Sequence, residues 1–309
     1  MSVKKVVSVS LGSHRGDKSV TANILGHDFE ISRVGTNGSF EEFAKLVREL
    51  DGNVDAISLG GIDLYLYADG RRYTIRDAAK LASNAKKTSV VDGSGIKNTI
   101  ERETIDWIQR KGLIDFPNKN ILVVSGVDRF GMAESVANLT NRVIFGDMMF
   151  SIGIPHPIRS LSELRLLART LLPIICVVPF KWLYPVGEAQ DKITPKYEEH
   201  FRWADVIAGD YKYIGRFMPP PTSNALVGKT IISNTLTAED VQNLKDRGVK
   251  TLITSTLEFD GRFFGTNVLE GIVVAISGKR PEEMKPQDYL DILHQMDWEP
   301  TVRDLGSNE

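Results

Sequence analysis

The stretch Asn120-Ile121-Leu122-Val123-Val124-Ser125-Gly126-Val127-Asp128-Arg129-Phe130-Gly131-Met132-Ala133, followed by Val143-Ile144-Phe145-Gly146-Asp147, constrains the fold of this chain most strongly. Ile121 to Val124 is an unbroken apolar run, the mark of a strand buried on both faces, and Gly126 follows its end. From Gly131 the apolar residues Met132, Ala133, Val136 and Ala137 share one helical face, and a second apolar run closes on Gly146-Asp147. Strand, glycine-bounded turn, helix, strand and acid, in that order, describe a mononucleotide-binding βαβ unit. In such a unit the turn amides and a helix N-terminus meet a diphosphate, and the acid accepts a hydrogen bond from a ribose hydroxyl. Gly126, Val127, Asp128, Arg129, Phe130, Gly131 and Met132 are therefore expected around the phosphates, with Asp147 on the ribose. The turn lacks the middle glycine of the dinucleotide fingerprint, and Asp128 repels phosphate unless it points away or Arg129 outweighs it. A plain βαβ unit with a phosphate-free turn is the alternative.

With 309 residues, 42% of them apolar, the chain can bury a large core and is expected to form two domains. A net charge of −2 offers no argument for nucleic acid or an anionic membrane, so a small molecule is the simpler partner, with a homo-oligomer compatible. The single cysteine, Cys176, rules out an intramolecular disulfide or a cysteine-based metal cluster, no metal site is expected, and a reducing compartment fits. No apolar h-region follows the first residues. Leu161 to Leu183 is broken by Arg165, Arg169, Pro173, Pro179 and Lys181, so neither a signal peptide nor a membrane span is expected and the cytoplasm is the expected location.

In the N-terminal part, residues 3–11 read as a strand, and 20–25 with 29–34 as a hairpin around Gly26-His27-Asp28. Ser39 and Glu42 open a helix with Phe40, Phe43, Ala44, Val47 and Leu50 inward. A strand over 54–59 runs into Gly60-Gly61, and a second hairpin (62–67 and 72–75) turns at Asp69-Gly70. After a helix over 77–86 and the short strand Ser89-Val90-Val91 comes Asp92-Gly93-Ser94-Gly95-Ile96-Lys97-Asn98-Thr99, from which a helix leaves. Ligands of α/β domains bind at the carboxyl ends of strands, so Ser94, Asn98 and Thr99, with Asp63, are expected to contact substrate. Lys97 and Asp92 are the candidate catalytic groups. Lys97 is not where a helix dipole favours a cation, although a solvated surface lysine is the plain alternative; for Asp92 the alternative is an Asx turn into Gly93.

Residues 113–119 read as a linker. Beyond Asp147 a proline-rich loop carries His156, and Ser160 with Glu163 caps a helix that ends at Pro173. Residues 174–178 read as the third strand of the sheet, and the aromatic segment 180–188 as a lid, a subunit contact or local packing. Strands over 204–210, 229–235 and 249–254 end in Gly209-Asp210, Asn234-Thr235 and Ser255-Thr256, a polar row where a nicotinamide and its ribose would lie. The apolar helix over 264–276 is expected between domains, with Asn267 and Glu270 hydrogen-bonded, and 301–309 is expected to fray. The fold expected is α/β: a substrate domain over 1–115, to which helix 285–298 can return, and a doubly wound, Rossmann-type domain over 116–280.

This layout resembles the amino-acid-dehydrogenase-like proteins. More closely, Val6-Val7-Ser8-Val9-Ser10-Leu11-Gly12, Gly60-Gly61-Ile62-Asp63-Leu64-Tyr65-Leu66-Tyr67, Val91 to Thr99 and Val127 to Glu134 resemble a bacterial family labelled quinate 5-dehydrogenase, over nearly the whole chain. The resemblance implies NAD-dependent oxidation of the 5-hydroxyl of a cyclic polyol carboxylate to 3-dehydroquinate. Shikimate and quinate dehydrogenases carry a catalytic lysine in an Asn-x-Lys-like motif and an aspartate after Asn-Thr. Here Asn98-Thr99 is followed by Ile100 and no such lysine motif precedes it, so Lys97 and Asp92 stand in on local chemistry alone. The expected reaction is hydride transfer with Lys97, Asp92 or both as base. Asp147 favours NAD over NADP, because it would repel a 2′-phosphate. An S-adenosylmethionine-dependent transferase and a ligand sensor on a dehydrogenase frame are the competing expectations.

Overall fold

The structure is a computed structural model describing residues 3–179, 193–234, 236–255, 258–259, 262–263 and 265–306. In chain order the first elements are β1 (Lys4–Ser10), β2 (Lys18–Ile24), β3 (His27–Gly35), α1 (Phe40–Leu50), β4 (Ala56–Gly60), β5 (Tyr65–Ala68), β6 (Arg71–Thr74), α2 (Arg76–Ala82), β7 (Ser89–Val91) and α3 (Ser94–Arg110). Then follow β8 (Ile121–Val123), α4 (Phe130–Leu139), β9 (Val143–Phe145), a π-helical turn Asp147–Ile152, α5 (Leu161–Ile175), α6 (Glu198–Trp203), β10 (Val206–Ala208), α7 (Tyr211–Phe217), β11 (Thr230–Ser233), α8 (Ala238–Lys245) and β12 (Thr251–Thr254). The last are β13 (Glu258–Phe259), β14 (Arg262–Phe263), α9 (Thr266–Ser277), α10 (Pro286–Gln295) and β15 (Thr301–Asp304). The fold is mixed α/β with parallel sheets. It divides into two compact units, residues 1–99 with 171–189 and 257–298, and residues 100–170 with 190–256 and 299–309.

In the first unit the sheet order is β2-β3-β1-β4-β7, parallel except for β2, which pairs antiparallel to β3. The hairpin closes on Leu25 and Gly26, both at positive φ (51° and 77°), which suits the right-handed twist of the flanking strands. Ser39 caps α1 by accepting the Glu42 amide, and Phe43 and Val47, one turn apart, face inward. Helix α9 packs on β1 and β4. It lies close because Gly271 has no side chain: a methyl there would sit 2.5 Å from Ser58 Oγ and 2.8 Å from Val6 Cγ1. Val6, Phe29, Ile31, Ala56, Val268 and Ile272 form the shared core.

The second unit has the order β15-β12-β11-β10-β8-β9, parallel except for β15, which pairs antiparallel to β12. Its core includes Leu122, Ile144, Phe150, Phe201, Ile207, Ile231 and Leu252. Phe150 meets the rings of Tyr197 and Phe201 edge-on, 5.5 and 5.7 Å between centroids.

Several expectations are corrected. Residues 174–178 are not a strand. Leu164, Ala168, Leu172 and Cys176 are buried at four-residue spacing while Ile174 and Val177 are 59% and 51% exposed, so the helical period carries α5 through Pro173 to Ile175. The loop after Asp147 begins as the π-helical turn, and Thr301–Asp304 is a paired strand rather than a frayed end. The units divide inside α3, between Thr99 and Ile100, and 257–298 with α9 belongs to the first unit. The aromatic segment 180–188 lies outside the described residues. Among the described residues no helix is long and apolar enough to cross a membrane, and no group of three or more His, Cys, Asp or Glu is placed to hold a metal ion.

Candidate functional site

Strand β7 ends at Val91, and the next residue turns its side chain back on the chain. Asp92 Oδ1 accepts the Ser94 amide at 3.1 Å, and Oδ2 accepts the Tyr65 amide at 3.2 Å and the Leu64 amide in a shorter bond. The Asx turn weighed for Asp92 is thus what forms. Ser94 Oγ lies 2.5 Å from Asp92 Oδ2 and 2.6 Å from the Tyr65 carbonyl oxygen, with one hydroxyl proton for two acceptors. Gly93 takes φ +94°, and a methyl there would sit 2.7 Å from the Asn267 nitrogen.

Directly behind this turn, Glu270 of α9 accepts the Gly93 amide at 2.6 Å and the Tyr289 hydroxyl of α10 at 2.9 Å, and the Gly95 amide also donates to it. Burial, and then the neighbouring charge of Asp92, push the Glu270 carboxyl up to about 8 against the pull of its donors. Burial likewise raises Asp92 above the usual carboxylate range, opposed by Ser94 and the backbone amides. Both acids are nearly solvent-free, at 7% and 3% exposure for Asp92 and Glu270.

Beside them opens a pocket with about 610 Å³ of empty space, mouth included. Its walls include Tyr65 and Tyr67 from one face of β5, Asn98 and Thr99 from α3, and Tyr289, with Arg72 and Glu282 also lining it. The Tyr65 and Tyr67 rings meet edge-on at 6.5 Å, and the Arg72 guanidinium stacks 4.3 Å above the Tyr65 ring. Asn98 and Thr99, expected to contact substrate, line this pocket, and Ser94 serves the turn under it. Lys97 is buried on α3 and reaches Asp63 at 3.8 Å. The proposed base pair of Lys97 and Asp92 is therefore divided between two sets of partners, since Asp92 is engaged by Leu64, Tyr65 and Ser94. Tyr65, Tyr67, Arg72, Glu282 and Tyr289 were not singled out from sequence. The alternation of Tyr65 and Tyr67 on one strand was the available signal.

The second unit's turn is arranged differently from expectation. Asp147 is buried and accepts the Gly126 amide at 2.9 Å and the Val127 amide at 2.8 Å, so the acid expected on a ribose holds the amides expected on a diphosphate. Burial pushes it up to about 6, the two amides opposing. Helix α4 starts at Phe130 with Arg129 before it, so Gly131 lies within the helix and Phe130 and Met132 point into the core. Arg129 is buried and ion-paired to Glu101 and Asp210, with Asp128 Oδ2 3.4 Å from its Nε. It stands past the ends of β8 and β10, the neighbours whose onward connections run to opposite sides, where a doubly wound sheet normally leaves its crevice. The polar row is also tied to itself. Asp210 caps α7 through the Lys212 amide and accepts Asn234 Nδ2 at 3.1 Å, Ser233 Oγ donates to the Gly209 carbonyl, and the Ser255 amide donates to the Ser233 carbonyl. Thr235 and Thr256 lie outside the described residues.

Domain of unknown function DUF8754 matches residues 95–305, and the chain belongs to that family. A second, Domain of unknown function DUF8753, matches residues 5–92. No curated protein matches in sequence. Similar solved structures include the substrate-binding protein of a sugar ABC transport system from Bordetella parapertussis, at 11% identity over 98% of this chain and 89% of that one, TM-score 0.36. A glucose-galactose binding protein from Geobacillus stearothermophilus is similar at 8% identity over 99% and 98%, TM-score 0.36. The malic enzyme of Entamoeba histolytica is similar at 9% identity over 95% and 69%, TM-score 0.38. At such scores the likeness names no ligand for this chain. These findings correct the resemblance to quinate 5-dehydrogenases and, with it, the assignment as an NAD-dependent dehydrogenase. The family model that matches describes a domain of unknown function, and the solved structures named above include no quinate or shikimate dehydrogenase.

Proposed function

We propose that the chain binds a small, uncharged, hydroxyl-rich molecule, of the size of one sugar or cyclitol ring, in the pocket beside β7. The observation that supports this is the lining: phenols of Tyr65 and Tyr67, the amide of Asn98 and the hydroxyl of Thr99 around a cavity whose buried acid, Glu270, is pushed up to about 8 by burial. Arg72 and Glu282 line the same pocket with opposite charges, so neither a phosphate nor an amine meets an unbalanced partner. Ring faces and hydroxyls together suit a molecule with both C–H faces and O–H groups.

Calorimetric titration at pH 7 with D-glucose, D-ribose and myo-inositol, against glucose 6-phosphate and glucosamine, tests the reading. A neutral compound is expected to bind, and Tyr67→Phe or Asn98→Ala to weaken it roughly tenfold, the loss of about one hydrogen bond. Binding confined to the charged compounds, or unaffected by both substitutions, overturns it.

A further inference from the structure

We propose that Arg72 sets the selectivity of this pocket by holding Tyr67 as a hydrogen-bond donor toward the ligand, so that the ligand hydroxyl at Tyr67 is read through its oxygen alone. This rests on the pocket being the ligand site, and it names what one wall of that site accepts and refuses. The register of the hairpin carries it. Tyr67 of β5 stands opposite Arg72 of β6, and Tyr65 stands two residues from Tyr67, so the three side chains share one face of the two-stranded sheet and line the cavity together. The Arg72 guanidinium lies 4.3 Å above the Tyr65 ring and hydrogen-bonds the Tyr67 hydroxyl. A planar group resting on one ring while its edge meets the neighbouring phenol is fixed by two contacts, although the residue itself is exposed.

The direction of the bond between them follows from the chemistry of the two groups. A guanidinium carries donors and no acceptor, and it stays charged in proteins. Tyr67 Oη therefore accepts from Arg72, and its single proton points elsewhere. Among the described residues no carboxylate, carbonyl or hydroxyl takes that proton, so it is available to a molecule in the cavity that Tyr67 lines. A hydroxyl of a sugar or cyclitol meets it with an oxygen lone pair. A group that can only donate, such as an ammonium, finds the Tyr67 oxygen already engaged and a cation beside it. Glu282 lines the same cavity and its charge bears on Arg72, so an anionic acceptor gains little over a neutral one.

The test is a cycle of Arg72→Met, Tyr67→Phe and the double variant in the full chain. D-glucose, D-ribose and myo-inositol are titrated by calorimetry at pH 7, each with analogues in which one hydroxyl at a time becomes fluorine, which accepts and cannot donate, or an ammonium, which only donates. For the compound that binds wild type, one position is expected where the fluoro analogue outbinds the amino analogue by about tenfold or more. Arg72→Met is expected to narrow that gap by about fivefold or more while Tyr67 is present, and by no more than about twofold once Phe replaces it. A gap that Arg72→Met leaves unchanged, or narrows equally in both backgrounds, overturns the proposal, because Arg72 then acts as a bare charge or not at all. A readout without ligand stands beside this one. The tyrosine Raman doublet of Tyr67, obtained by subtracting Tyr67→Phe, is expected to show an oxygen accepting from a cation and to lose that form in Arg72→Met. A donor-type doublet in wild type overturns the orientation even where Arg72→Met does not fold. If no compound binds while the Raman result stands, the ligand reading fails and the orientation of Tyr67 does not.

Discussion

Gly95 shows how little freedom the site has at the scale of one residue. Gly95→Ala drives a methyl against Glu270 and Tyr289 and is expected to destabilise by about 1–3 kcal/mol, read from urea unfolding. Gly70→Ala is the control: nothing lies within 4 Å of its added methyl, so only the strain of φ +71° remains, about 1 kcal/mol. Asp147→Asn leaves one oxygen for the Gly126 and Val127 amides, and the orphaned donor should destabilise by about 1–3 kcal/mol at pH 7 by the same measurement. Residues of the Asp92–Thr99 loop were recognisable in sequence because glycine, small polar groups and a strand end coincide there. Which of Asp92's possible partners it takes was not, since Leu64 and Tyr65 approach from a hairpin nearly thirty positions away. Asp147 was equally visible as an acid at a strand end. Its direction was hidden, because a carboxylate turned toward its own turn and one turned outward leave the same letters.

Among the elements, strands and helices with a clear period were readable in advance, and the failures share a cause. In α5 the run 174–178 is too short and too apolar to distinguish a strand from a buried helix end, and Pro173 argued for a stop that the helix does not make. Because Pro173 is exposed and denies one backbone bond, Pro173→Ala is expected to stabilise by about 1–3 kcal/mol, checked by thermal and urea unfolding. Strand β15 was missed because four residues, Thr301 to Asp304, alternate weakly and gain their order only from β12. A chain ending at Pro300 would lose that pairing and the buried Leu305, and is expected to melt several degrees lower and to aggregate through the bared edge of β12.

For the molecule as a whole, the buried acids set an unusual dependence on pH. Asp147 and Glu270 rise from 3.8 to about 6 and from 4.5 to about 8, so in each case the folded chain keeps a proton that the unfolded chain has lost. Their contribution is complete below the lower value and is lost as pH climbs through the higher. Asp51, held low by the Thr88, Lys86 and Lys87 amides, and Asp288, held low by Lys279 and the Lys285 amide, act in the opposite sense and favour the fold above the acid range. The melting temperature is therefore expected to peak near about pH 5 and decline toward pH 8, with Glu270→Gln removing the upper part of the decline. Each unit is also assembled from separated stretches of chain: the sheet of the first waits for α9 and α10, and that of the second for β15. Until Thr301 to Asp304 dock on it, β12 presents an unguarded row of backbone donors and acceptors, so the last strand of the chain to be made is the one that seals this sheet.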